Sequence, residues 1–202
     1  MGFTWKLALD LHDAIRFARS GWFWRLHLGL WREYQSSSLL RQEGSFTYGE
    51  TPTSTVVELL KNLELSPGQR VVDLGSGRGL PTLVAASVGY RAFGLEYFAE
   101  HVERARRVAE RLSLNAEFLA GDFLKVAWPE AEAYLICSTA FQPDLRSALQ
   151  ERLSGLDHEA WIVTQDWDLE DPGVFRLVQK QRLPVTWGTS TFRYFRFSPS
   201  DR

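Results

Sequence analysis

Three glycines at alternate positions, just behind an acidic residue, are the first feature of this sequence that could do chemistry. The run is Asp73-Leu74-Gly75-Ser76-Gly77-Arg78-Gly79. Glycine lets a backbone turn sharply and approach a ligand with no Cβ in the way. A helix starting directly afterwards would aim its free amide groups at whatever binds there. Dinucleotides use loops of this kind too, but two details argue against one. The dinucleotide fingerprint needs glycine at the sixth position, where Leu80 stands. Asp73 would also repel a pyrophosphate, whereas it suits an ammonium group. Two more acids follow: Glu96, 23 residues after Asp73, and Asp122 within Gly121-Asp122-Phe123. Any one of the three could simply cap a helix. All three at the ends of successive extended runs are hard to explain as caps.

The ligand matching this set is S-adenosylmethionine, which has no phosphate and carries an ammonium, a sulfonium and a carboxylate. Asp73, Gly75, Ser76, Gly77 and Gly79 are expected to hold its methionine end. Glu96, with Tyr97 beside it, is placed to accept both ribose hydroxyls, as an acid after the second strand does in dinucleotide folds. Asp122 would accept from the adenine amino group, flanked by Gly121 and with Phe123 near the ring. The chemistry implied is methyl transfer, an in-line displacement in which the protein mainly positions donor and acceptor. A nicotinamide oxidoreductase is disfavoured by Asp73 and Leu80. A non-catalytic binding protein is compatible with every motif.

The elements that must position these residues alternate along the chain. Apolar extended runs cover Arg70–Leu74, Arg91–Leu95, Ala116–Ala120, Ala133–Cys137 and Ala160–Thr164. Helical patterns cover Ser54–Leu63 (with Thr53 or Ser54 as cap), Pro81–Val88, Phe98–Leu114 and Leu145–Leu153. The alternation predicts an α/β fold: a doubly wound, mostly parallel, seven-stranded sheet with helices on both faces. Val174–Gln181 and Thr191–Phe197, separated by Pro184 and Gly188, suit an antiparallel pair at the sheet edge. Residues 1–43 look helical. The expected organisation is an N-terminal helical extension over 1–47 and a cofactor-binding domain over 48–202.

Composition excludes several classes. The 202 residues are 45% hydrophobic and 24% charged with a net charge of −2, which predicts no strong attraction to nucleic acid. The single cysteine, Cys137, excludes an internal disulfide and a cysteine-cluster metal site, and His12, His27, His101 and His158 show no metal-ligand spacing. No metal is expected. The longest uncharged stretch, Gly79–Tyr90, falls well short of the roughly 20 residues needed to span a bilayer, and no secretory signal is visible, so the expectation is a soluble cytoplasmic protein. The aromatic- and arginine-bearing stretch Phe17–Tyr34 could lie on an anionic membrane. Its apolar positions run nearly all round, which better suits packing on the domain.

With these residues placed, the chain resembles the non-SET lysine methyltransferases related to the disruptor-of-telomeric-silencing histone enzymes, including their small bacterial relatives. Tyr48-Gly49-Glu50-Thr51 resembles that family's segment over the methionine end of the cofactor, which implies cofactor roles for Tyr48, Glu50 and Thr51. Val72–Gly77, Gly121–Leu124 and Ala140–Pro143 resemble further motifs. Val185-Thr186-Trp187 and Tyr194 resemble the strand pair walling the family's lysine channel. The resemblance thus implies a protein-lysine acceptor reached past Phe141, Trp187 and Tyr194. One departure is Cys137, aligned with an asparagine that ends the fourth strand in the histone enzymes and can bind the cofactor through its amide. The long basic extension used on nucleosomes has no counterpart, so a chromatin substrate is not expected. The Asp/Asn-Pro-Pro-aromatic motif of adenine and glutamine N-methyltransferases is absent, while a small-molecule acceptor stays open.

Overall fold

The computed structural model describes residues 51–137, 141–171 and 173–199. The expected helical extension, and Tyr48 and Glu50 with it, lie outside the described residues. Eleven elements are described in chain order: α1 (Thr53–Lys61), β1 (Arg70–Leu74), α2 (Leu80–Ser87), β2 (Arg91–Glu96), α3 (Ala99–Leu112), β3 (Ala116–Ala120), β4 (Ala133–Ile136), α4 (Pro143–Ser154), β5 (Ala160–Gln165), β6 (Phe175–Val185) and β7 (Gly188–Phe197). The strands form one seven-stranded sheet in the order β3-β2-β1-β4-β5-β7-β6. β1 to β5 are parallel, and β7 runs antiparallel to both β5 and β6. This is the predicted α/β architecture.

Strand alternation divides the core into two layers. Val71, Leu135, Val163 and Tyr194 point to one face and pack against α1, α2 and α3. Val72, Leu74, Ile136 and Ile162 point to the other and pack against Leu149 and Leu153 of α4. α3, dense in Arg and Glu, buries only Val102, Ala105, Val108 and Ala109, a single stripe at helical spacing. The sheet supplies what this helix lacks in apolar surface.

Most boundaries differ by a residue or two from the expected ones, and three differences have a clear physical reason. α1 follows Pro52, with no side-chain cap hydrogen bond, so neither Thr53 nor Ser54 serves as the cap. α4 starts at Pro143 rather than Leu145, because proline suits the first helical turn, where the missing N–H would have had no partner. β6 runs straight through Pro184 to Val185. Proline is tolerated there because β6 is the outermost strand, so a position without an N–H need not break the ladder. The hairpin is correspondingly longer and its turn tighter than the sequence suggested.

Candidate cofactor and acceptor site

The strand order reverses between β1 and β4, and in open α/β sheets ligands bind beyond the carboxyl ends of the strands at such a point. The glycine loop lies there. The amides of Gly75 and Ser76 both donate to the Leu95 carbonyl at 2.9 Å, which ties the loop to the end of β2. Gly75 has φ +82°, and a Cβ on it would meet Phe141 Cζ at 2.9 Å. Gly79 has φ +85°, and a Cβ there would come within 2.6 Å of Phe118 and 2.8 Å of Ala105. The alternate glycines are therefore required by backbone conformation and by close packing of α2 and α3 on the sheet.

Asp73 follows Val71 on the face of β1 covered by α1, α2 and α3, the upper layer, and is only 2% exposed. Burial pushes its pKa up to about 7; the Thr82 hydroxyl, donating to Oδ2 at 3.1 Å, opposes the shift, and Glu96 adds to it. Such a buried carboxyl gains from a cationic ligand group, which would restore its charged form. In the same loop Ser76 Oγ is buried against Gly94 of β2 and makes no hydrogen bond. A buried acid at the start of a glycine loop fits the ammonium-bearing methionine end of S-adenosylmethionine.

Glu96 closes the other side. Although burial raises its pKa, the neighbouring His101 and hydrogen bonds from the Phe98 and Gly77 amides bring it below the usual carboxylate value. Gly77 N donates to Oε2 at 2.8 Å and Phe98 N to Oε1 at 3.0 Å. The acid thus also fastens the glycine loop, and each oxygen keeps a lone pair for a hydroxyl. Beyond it Tyr97 is 69% and Phe98 46% exposed, an open aromatic rim.

Asp122 caps no helix; its carboxylate closes the turn that follows β3. Its Oδ1 accepts from the Leu124 amide at 2.9 Å, the main cause of its lowered pKa, and Lys125 Nζ lies 3.2 Å from Oδ2. Gly121 precedes it with φ +147°. Phe123 is buried in the α4 layer, its ring 5.4 Å from that of Phe141. Cys137 continues β4 and packs on the upper core, near Thr51; burial pushes its thiol up, and Asp73 adds to this. Thr51, Asp73 and Cys137 are therefore neighbours.

The three channel aromatics are not brought together. Tyr194 is 1% exposed in the upper layer, its hydroxyl donating to Gln181 Oε1 at 3.0 Å and lying 3.3 Å from Asn62 Nδ2. Phe141 packs with the opposite layer, under Gly75. Trp187 sits in the β6–β7 turn and is 44% exposed. Sequence reasoning missed three supports. Thr82 holds Asp73. His101, on the first turn of α3, lies 3.8 Å from Glu96 Oε1. Arg152 of α4 donates to the Phe123 and Val126 carbonyls and stacks 4.3 Å from the Trp128 ring centroid, bracing the Asp122 loop. His101, one turn beyond an acid at a strand end, was the most legible of these.

Among the described residues, no group of three or more His, Cys, Asp or Glu could hold a metal ion, and no helix is long and apolar enough to cross a membrane.

The strand order, the reversal between β1 and β4, and the acids at three successive strand ends define the class I S-adenosylmethionine-dependent methyltransferase fold. The chain belongs to the family described as histone methylation protein DOT1, whose model matches residues 32–169. Over 173 residues it is 27% identical to the H3 lysine-79-specific histone-lysine N-methyltransferase of Eremothecium gossypii, covering 76% of this chain and 29% of that protein. Over 85 residues it is 31% identical to a protein-L-isoaspartate O-methyltransferase of Cytophaga hutchinsonii, covering 40% of this chain and 38% of that one. The chain spans less than half the length of these curated relatives. Among solved structures, an RNA methyltransferase from Salinibacter ruber in complex with S-adenosyl-L-homocysteine superposes with a TM-score of 0.60 at 24% identity, covering 76% of this chain and 95% of that one.

Proposed function

We propose that this protein binds S-adenosylmethionine and transfers its methyl group to a lysine side chain of a protein. The observation that carries the reading is the buried Asp73 at the start of the glycine loop, in a chain that belongs to the histone methylation protein DOT1 family. Asp73 would hold the ammonium of the methionine end, with Thr51, Ser76 and the amides of the glycine loop around it. Glu96 would take the ribose hydroxyls and Asp122 the adenine amino group, with Tyr97 alongside and Cys137 at the β4 end. When bound, the cofactor supplies an activated methyl group on a sulfonium. A lysine acceptor, of ordinary pKa ~10.4, must arrive neutral. A desolvated approach next to a positive sulfonium disfavours the ammonium form, so no dedicated base is needed.

The named relatives act, by their names, on histone lysine and on isoaspartyl protein, and the solved neighbour on RNA. The lysine assignment is therefore the part to test. The protein is incubated with labelled S-adenosylmethionine and an extract of its source, and the labelled species are located by mass spectrometry. Label on lysine is the expected result. Label only on RNA, on carboxylates or on a small metabolite removes the lysine assignment and leaves methyl transfer standing. Calorimetry with S-adenosylhomocysteine tests the cofactor assignment separately, and no binding there refutes it.

A further inference from the structure

At the carboxyl end of β5, Gln165 is fully buried and leaves one polar atom bare. Its Nε2 donates to Ser190 Oγ at 2.9 Å, while its Oε1 has no hydrogen-bond partner. Ser190 is itself only 2% exposed. Unpartnered buried amide oxygens are rare because each gives up its water without compensation. When one persists at the ligand end of an α/β sheet, a ligand is the simplest way to satisfy it.

Its place in the sheet is specific. Ile136 of β4 lies opposite Thr164 of β5, so Cys137 and Gln165 continue that register on strands about 4.8 Å apart. Alternation from Val163 puts Gln165 on the upper face, where its antiparallel partner Phe192 also lies. Thr82 of α2 reaches Asp73 from that same face. Moving outward along the strand ends, Asp73 stands on β1, Cys137 on β4 and Gln165 on β5. The cofactor's methionine end is assigned to the first of these. Gln165 lies two strands out from Asp73, on the side from which an acceptor would enter.

We infer that Gln165 Oε1 is the hydrogen-bond acceptor for the amine that receives the methyl group, with Ser190 holding the amide plane in place. This deepens the lysine reading and rests on it. A neutral primary amine has two N–H donors and one lone pair. One N–H given to Oε1 fixes the direction of the lone pair. The lone pair forms the new N–C bond as the C–S bond breaks; the electrons of that bond stay on sulfur, and the nitrogen then loses a proton to solvent. A carboxylate acceptor has no hydrogen to offer and would set its lone pairs against those of Oε1, so the same contact selects amines over carboxylates.

The test uses the full chain saturated with S-adenosylhomocysteine. It is titrated with n-butylamine and, separately, with butyrate, while the side-chain amide NMR signals of Gln165 are followed. Those signals are assigned as the pair missing from Gln165→Met, or from Gln165→Glu should the first variant fail to fold. Butylamine is expected to shift them saturably and butyrate at equal concentration is not. No response to butylamine, or an equal response to butyrate, overturns the inference. In transfer to protein lysine, Gln165→Met is expected to lower kcat about ten- to a hundredfold, with affinity for S-adenosylhomocysteine within about twofold of the parent. A parental kcat together with a lowered Tm would make Gln165 a core brace only. Label on lysine with unchanged kcat in the variant thus overturns this inference alone. Label confined to carboxylate, carbon or nucleic acid in the parent overturns the lysine reading and this inference with it.

Discussion

Replacing Asp73 by asparagine should make the ligand-free protein more stable and a poorer binder at the same time. Asp73 is fully buried with its pKa raised to about 7 from an ordinary 3.8. A carboxyl whose folded pKa lies above its unfolded value binds its proton more tightly in the folded state. Below the unfolded value both states are protonated and nothing is lost. As pH rises towards 7 the unfolded chain ionises while the folded one does not, and stability falls by about 1.4 kcal/mol per unit. Between about pH 5 and pH 8 this comes to roughly 3 kcal/mol. Asparagine cannot ionise and still offers an oxygen to the Thr82 hydroxyl. The stability difference between Asp73→Asn and the parent should therefore grow in the variant's favour by roughly that amount across the interval. Urea denaturation at both pH values measures it. S-adenosylhomocysteine should reverse the order, because its ammonium stabilises the ionised Asp73 and finds no counter-ion in the variant. Calorimetry should show weaker binding by the variant and, in the parent, affinity rising with pH through about 7 as the carboxyl loses its proton. A variant that is less stable at pH 8 and binds as tightly as the parent would refute the reasoning.

Three further outcomes follow from the geometry. Glu96→Ala removes the acceptor of the Gly77 and Phe98 amides as well as the ribose contacts, and should weaken S-adenosylhomocysteine binding by roughly 1–3 kcal/mol in calorimetry. Gly79→Ala forces a Cβ against Phe118 and Ala105 at a left-handed φ, and should cost roughly 2–4 kcal/mol of stability by denaturant melt, with binding reduced alongside. Arg152→Met leaves the Phe123 and Val126 carbonyls without their shared donor. It should weaken cofactor binding by about 1–2 kcal/mol through the Asp122 loop, most visibly as exchange broadening of the Asp122 and Leu124 amides in NMR spectra.

The parts of the site carried by short stretches of chain were open to reading from sequence. Asp73 and the alternate glycines specify a strand, a tight turn and a helix start within ten residues, and the short extended runs that end at Glu96 and Ala120 specify the strands delivering the acids. Glycine spacing and side-chain alternation are properties of the local backbone, so no knowledge of distant residues is needed to see them. The expectation of an antiparallel C-terminal pair came from the same kind of pattern. That β7 inserts between β5 and β6, and so brings Ser190 against Gln165, did not. Tyr194 shows the same limit. It was expected at a channel because of the segment around it. Its hydroxyl is instead held by Asn62 and Gln181, 132 and 13 residues away, on elements whose approach depends on strand order. Arg152 reaches the Phe123 carbonyl across 29 residues and a change of layer. Thus the sequence by itself determined the fold class, the cofactor loop and the three acids, because those are written in local periodicity and charge. Only the tertiary structure decided the partners that set their pKa values and the polar atom left bare, because burial and pairing arise where distant segments meet.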